Sequence, residues 1–475
     1  MNFVLDHSFL PEKYFEEICA VPHGSYHEKP LSDYLVHFAE AHGLVYKQYP
    51  NWNVIIYKPA SPGYEDHAPV MLQAHIDMVC EKEPGSEHDF EKDPLELYVE
   101  DGKLHAKGTT LGADDGVGVA YMLAFLDDDT LPHPPLECVF TVQEEVGLIG
   151  AAQLAFEDIS AKRMIGLDDM GGNTCYASSC GSQYMHLTRS YTVTDNTLPG
   201  YRLTVNGLLG GHSGVCINKE RGNAIKLAAR VLYGLDLSIR IGSFIGGTKD
   251  NAIPTQCEVL FGCDAGIEAL QEKAAEFETL FRKELAYSDP DVTVAVEPAA
   301  CGEAFSEEDS RALVEMLFVL PDGFRHKSMK IEGLTTVSEN LARIRTEEGV
   351  VTIYCFPRSE IDSFLDQIAG EYRILGGLYG FELVCRDRAP GWRFEEKSAI
   401  RESLFTAYHE VTGGHMTLIA EHGGLETGYI SGGIPGIDIV TCGPHCEEYH
   451  TPKEWLDLAS FRTIYEVLKR TLETL

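Results

Sequence analysis

Five short stretches of this chain end in a residue that a divalent metal would take as a ligand: His75, Asp114, Glu145, Asp168 and His450. Imidazole nitrogen and carboxylate oxygen are the donors zinc uses in catalytic sites. Five of them, with Asp77, Asp115, Glu144 and Asp169 close by in sequence, point to a two-metal hydrolase, in which paired ions activate water and polarise a carbonyl.

The stretch APVMLQAHIDMV is an apolar run that reads as a buried strand and delivers His75 and Asp77 at its end. Period-two geometry turns both side chains the same way. A carboxylate there can hold the second ring nitrogen of a ligating histidine, so His75 reads as the ligand and Asp77 as its orienting partner. In KGTTLGADDGVGVAYMLAFLDD a glycine-rich loop presents Asp114 and Asp115 just before a helical pattern. Such a pair serves equally well as a helix cap, and both readings stay open. LECVFTVQEEVGLIGA reads as a strand ending in Glu144 and Glu145. Adjacent side chains leave a strand in opposite directions, so one glutamate can bind metal while the other moves protons. KRMIGLDDM ends in Asp168 and Asp169, and HCEEYHTPKEW carries His450. Cys442, Cys446 and His450 fall at intervals of four and offer a rival, structural zinc site, against which no second ligand pair lies nearby.

Acids at the ends of successive apolar strands must share one edge of a parallel sheet, where ligands bind in open α/β folds. The N-terminal half alternates strand and helix patterns, beginning with LPEKYFEEICAV and Pro11 at the helix start. Near residues 186–190 the pattern changes to strands such as YRLTVNGL and CEVLFGC, mixed with amphipathic segments such as ALQEKAAEFETLFRKEL. After about Cys385 the first pattern returns through PGWRF, SAIRESLFTAYHEV and SFRTIYEVLKRTLETL. The expected organisation is a catalytic domain of residues 1–187 and 388–475 interrupted by an α+β lid of residues 188–387, as suits a chain of 475 residues.

The balance of 38 Lys+Arg against 74 Asp+Glu, a formal net of -36, excludes a nucleic-acid-binding surface. It speaks to solubility rather than to substrate, and runs such as Asp127 to Asp129 read as solvated helix ends. Thirteen cysteines without an N-terminal apolar leader fit a reducing cytoplasm. No apolar run is long enough to span a bilayer.

AHIDMV, GTTLGADDGVGVA, QEEVGLIGA, GLDD, GLLGGHSG and YHTP resemble, in order and spacing, the co-catalytic di-zinc peptidases that include carnosinase, PepV and peptidase T. GGHSGVCINKERGNAIK, GGTKDNAIPTQCE, the PGW at Trp392 and HGGLETG are similar to the Xaa-His dipeptidase branch, and the likeness covers nearly the whole chain. The resemblance implies an α/β fold: a discontinuous, mostly parallel catalytic sheet flanked by helices, with an inserted lid. It implies two Zn2+ per chain, with Mn2+ or Co2+ as substitutes. Asp114 would bridge them, His75 and Asp168 would complete one, and Glu145 and His450 the other. Asp77 would orient His75, Glu144 would activate the zinc-bridging water, and the Asp114–Asp115 peptide bond would be cis.

On the lid, the resemblance gives His212 the oxyanion of the tetrahedral intermediate, the other reading being a turn histidine between glycines. Asn251 and Arg358 would touch substrate, Arg358 pairing bidentately with a C-terminal carboxylate, although CFPRSE departs from the family's usual run. Glu426 offers its charge to a substrate ammonium. An insert of about 200 residues is long for one ferredoxin-like unit, which implies a doubled lid. His212 would then serve its own chain, where smaller members borrow it from a second subunit. The implied function is a cytoplasmic metallo-dipeptidase acting on unblocked dipeptides, Xaa-His above all. The alternatives are a tripeptidase or N-acyl-amino-acid amidohydrolase with the same site, and a catalytically dead binding protein, which the presence of Glu144 and all five ligands opposes. The partner is a small peptide, with no nucleic acid or membrane and a homodimer left open.

Overall fold

The computed structural model describes residues 3–475. The chain divides into two compact units: Met1–Ser179, Trp392–Ala420 and Leu425–Leu475 in the first, Cys180–Gly391 and Glu421–Gly424 in the second.

The first unit is built on six strands in the spatial order Val45–Gln48, Val54–Lys58, Leu136–Thr141, Val70–His75, Arg163–Gly166, Asp438–Thr441. The last four run parallel and the first two antiparallel. Strands covered on both faces become continuous apolar runs, and every residue of Val70–His75 and of Leu136–Thr141 is buried. Val70, Leu72 and Ala74 face a core shared with helices Leu10–Cys19, Ala113–Asp127 and Leu458–Thr474. Met71 faces the opposite core with Val139, Met164 and Ile439. Each such fully buried Leu, Ile or Met contributes about 1.5–3 kcal/mol. The first helix carries its proline in the first turn, as the sequence predicts.

Helix Ala113–Asp127 is buried on nearly all sides. Its close approach to the neighbouring strand end depends on Gly118, where a Cβ would lie 2.7 Å from that of Leu167. This contact brings the segment carrying Asp114 against the one carrying Asp168. The Glu144 strand departs from expectation: it stops at Thr141, and Glu144 and Glu145 lie in the turn that follows. Strand alternation therefore does not set their directions.

In the second unit the expected doubling is written in the strand order. One half runs Gly200–Asn206, helix Ala224–Gly234, Ile239–Gly246, Cys257–Cys263, helix Ile267–Glu284, Thr293–Pro298. Its strands lie in the antiparallel order fourth, first, third, second. The other half begins with Gly181–Ser190 and resumes with helix Glu307–Val319, Leu341–Glu347, Val350–Cys355, helix Asp362–Tyr379 and Glu382–Ala389, in the same spatial order. The two ferredoxin-like sheets join where Gly246 pairs with Ile344, and the first half is inserted into the second. Among the described residues no helix is long and apolar enough to cross a membrane.

Candidate active site

Parallel pairing sets His75 opposite Thr141 and Gln73 opposite Gly166, so three neighbouring strands finish at one edge and their following loops carry Asp77, Glu144 with Glu145, and Asp168. His75 is fully buried. Its Nε2 lies 3.0 Å from Asp114 Oδ1, and its Nδ1 lies 3.0 Å from the main-chain carbonyl of Asp77 and 3.5 Å from that residue's carboxylate. The Asp77 carboxylate also accepts the N–H groups of Glu144 (2.9 Å) and Glu145 (3.3 Å) and the Ser25 hydroxyl (2.8 Å). Asp77 thus holds the Glu144–Glu145 turn beside His75.

The two adjacent aspartates divide the work that the sequence left ambiguous. Their peptide bond is cis, and neither has helical backbone angles. Asp115 is buried and accepts the Gly118 N–H at 3.1 Å, which makes it a cap for the helix that follows. Asp114 is left for the site, where Oδ1 meets His75 and Oδ2 lies 3.3 Å from Nε2 of His450. His450 Nε2 also lies 2.8 Å from Glu145 Oε1. Three donor groups have their ligand atoms within 4.8 Å of one another: His75 with Asp114 and Asp168, Asp114 with Glu145 and His450, and His75 with Glu144 and Glu145. Asp114 belongs to the first two, one oxygen toward each histidine. No cysteine belongs to any such group among the described residues. Cys442 and Cys446 are buried thiols whose pKa burial pushes well up, so the rival structural zinc site has no support.

The electrostatics describe a site short of positive charge. Burial drives Glu144 and Asp168 well above the ordinary carboxylate range, and further carboxylates add to the push while His75 opposes it. Burial also raises Asp114, but hydrogen bonds from His450 and His75 outweigh it and hold this carboxyl low. Hydrogen bonds to Asp114 and Glu145 lift His450 to about 10. Buried charges are tolerated when paired or bound to metal, and a nitrogen-and-oxygen donor set of this kind fits two zinc-like ions.

Glu426 opens helix Glu426–Gly433 and is 3% exposed. Its Oε2 accepts Gln73 Nε2 at 2.6 Å and Thr141 Oγ1 at 2.8 Å, while Oε1 is buried without a partner. Burial raises its pKa to about 7. Sequence reasoning passed over Gln73 and Thr141, which lie within the ligand-bearing stretches, and Ser25, which lies outside them; none carries a distinctive spacing.

The other three candidates meet in the second unit. His212 pairs with Ala252 in a two-residue ladder, and the Ser213 N–H bonds the Asn251 carbonyl at 2.8 Å. Arg358, 5% exposed, sets Nη2 3.3 Å from His212 Nε2 and donates Nε to Ser213 Oγ at 3.3 Å. Burial first, then the Arg358 charge, lower the His212 pKa, which favours the uncharged ring. Asn251 is exposed and enters the corner through its backbone.

A family model described as peptidase family M20/M25/M40 matches residues 71–474. The chain is 32% identical over 467 residues, 97% of this chain and 96% of the relative, to the cytosol non-specific dipeptidase of Escherichia coli K12. The crystal structure of aminoacylhistidine dipeptidase from Vibrio alginolyticus superposes with a TM-score of 0.92 at 33% identity, covering 98% of this chain and 96% of that one. Aminopeptidase PepT from Bacillus cereus shares the fold, with a TM-score of 0.56, 18% identity and 99% coverage of each chain. With strand-end acids, a shared aspartate and histidines at both of its oxygens, this chain belongs to the M20 peptidase family.

Proposed function

We propose that the protein is a cytoplasmic, metal-dependent dipeptidase that hydrolyses unblocked dipeptides, with Xaa-His as the preferred class. The observation that carries this reading is the pair of donor triads sharing Asp114. His75, Asp114 and Asp168 would hold one ion, and Asp114, Glu145 and His450 the other. When bound, two zinc ions would supply Lewis acidity toward the scissile carbonyl and lower the pKa of attacking water. The names of the similar proteins, a cytosol dipeptidase and an aminoacylhistidine dipeptidase, support the compartment and the substrate class.

The remaining chemistry belongs to the chain. Glu144 has a carboxylate oxygen within 4.8 Å of a ring nitrogen of His75 and of a carboxylate oxygen of Glu145, but no place in the two Asp114 triads. It takes the proton from the attacking water and returns it to the leaving amine. A carboxylate beside the donor triads but outside both of those that share Asp114 is placed for that proton transfer. Asp77 keeps Glu144 in reach by gripping its main-chain N–H. The buried, unpartnered oxygen of Glu426 receives the substrate ammonium, and an unblocked N-terminus is therefore required. For the second unit taken by itself, the resemblance assigns His212 the role of an oxyanion donor and Arg358 with Asn251 that of a carboxylate receptor.

Histidine release from a panel of Xaa-His dipeptides, beside their N-acetylated forms and matching tripeptides, tests this reading on metal-loaded and chelated protein. Metal-dependent release from free dipeptides alone is expected. Equal turnover of the acetylated forms would remove Glu426 from substrate recognition and the dipeptidase assignment with it.

A further inference from the structure

The carboxylate of Glu454 lies outside every donor triad, yet it ties two of the ligand-bearing segments together. It is 3% exposed and accepts three consecutive main-chain N–H groups: Oε2 those of Leu111 (2.7 Å) and Gly112 (3.1 Å), and Oε1 that of Ala113 (2.8 Å). These are the residues immediately before Asp114. Gly112 sits in the left-handed region at the start of helix Ala113–Asp127, and no side chain at that position caps the helix. Buried main-chain N–H groups in a loop need an acceptor, and here it comes from more than 300 residues further along the chain.

Glu454 is also fixed to His450. Strands Cys446–Glu447 and Trp455–Asp457 pair as a hairpin whose connection carries His450 and ends at Glu454. Within it the Thr451 N–H bonds the Glu448 carbonyl, and the Glu454 N–H bonds the Thr451 carbonyl at 3.1 Å. Strand Trp455–Asp457 pairs in turn with Lys103–Ala106. His450 itself is substantially exposed, and the polar contacts of its ring are Asp114 and Glu145. The His450 hairpin therefore meets the Asp114 segment in two ways, through the donors themselves and through Glu454.

We infer that Glu454 is a positioning residue for the metal centre, one that sets the distance between Asp114 and His450 by clamping the backbone of one to the hairpin of the other. Its action runs through ligands and touches neither substrate nor ion. A glutamine would keep the volume but offer one acceptor oxygen and present an NH2 group to at least one of the three N–H donors. Partners that orient ligands in this way are worth about 10–100-fold in metal affinity.

The inference rests on the proposed ligand set, and the test separates the two. Metal-free wild type, Glu454→Gln and Glu454→Asp are titrated with zinc by calorimetry, and thermal melting and far-UV circular dichroism of the metal-free forms establish that each is folded. Wild type is expected to bind two equivalents. Glu454→Gln should bind one equivalent about tenfold or more weakly than wild type while the other changes little, with kcat lowered and KM nearly unchanged. Glu454→Asp should recover part of the lost affinity. A folded Glu454→Gln that binds both equivalents with wild-type affinity overturns the positioning role. A wild type that binds no metal overturns the ligand set itself, whatever the variant does.

Discussion

The strand-end site of the first unit and the His212 corner of the second are short of opposite charges. The first gathers Asp114, Glu144, Glu145 and Asp168 around two histidines, and burial drives Glu144, Asp168 and the capping Asp115 toward the protonated form. The second buries the Arg358 guanidinium against a serine hydroxyl and a histidine ring that it helps keep neutral. Burying charge without a matching partner costs several kcal/mol per ion, so a fold that keeps both arrangements is built for ligands that complete them. The first asks for cations, the second for an anion.

The largest effect is expected at the proton carrier. Glu144→Gln removes the exchangeable charge while keeping shape, and should lower kcat by about 10²–10⁴-fold with metal content unchanged. Steady-state kinetics beside elemental analysis would check this, and retained turnover would remove Glu144 from the mechanism. The second unit gives a smaller, differently shaped response. Arg358→Lys keeps the charge but loses the planar fork; one charged hydrogen bond is worth about 1.5–3 kcal/mol, so KM should rise tenfold or more. A dipeptide whose C-terminus is amidated should show no such rise, and an equal rise for both substrates would take the carboxylate contact away from Arg358.

Asp322, a carboxylate outside both regions, supplies the smallest effect and a control. Burial raises its pKa to about 6, although it accepts the Leu341 N–H and Asn223 Nδ2. A raised carboxylate pKa means that the folded state holds the proton more tightly. Its stabilising contribution is full below the unfolded value of about 4 and is lost as pH rises to about 6. Asp322→Asn should therefore gain in melting temperature relative to wild type as pH climbs through that window, by about 2–4 °C if the difference is near 1 kcal/mol. A difference that does not change with pH would show that Asp322 titrates normally.

Much of the site was legible because metal ligands at strand ends leave a local trace: an apolar run, then an acid or histidine. His75, Glu145 and Asp168 carry that trace, whereas Asp114 precedes a helix and His450 lies in a hairpin connection. The same logic misplaced the Glu144–Glu145 pair, since a strand pattern cannot show that pairing stops at Thr141 and that Asp77 builds the turn beyond it. The HGGLETG motif was readable as a motif but not as a division, with Glu421–Gly424 in one compact unit and Glu426 in the other. Glu454 had no signal at all, because an acceptor for backbone N–H groups so far away in sequence follows no periodicity. In the second unit the doubling came from length alone, and the insertion of one ferredoxin-like half into the other became visible only through strand order.

The central claim is that one carboxylate, Asp114, serves two metal ions. Zinc titration of metal-free wild type and of Asp114→Asn, with folding checked by circular dichroism, addresses it most directly. Two equivalents for wild type and at most one for the variant are predicted. Two equivalents retained at wild-type affinity by the folded variant would contradict the shared ligand, and with it the reading of the site.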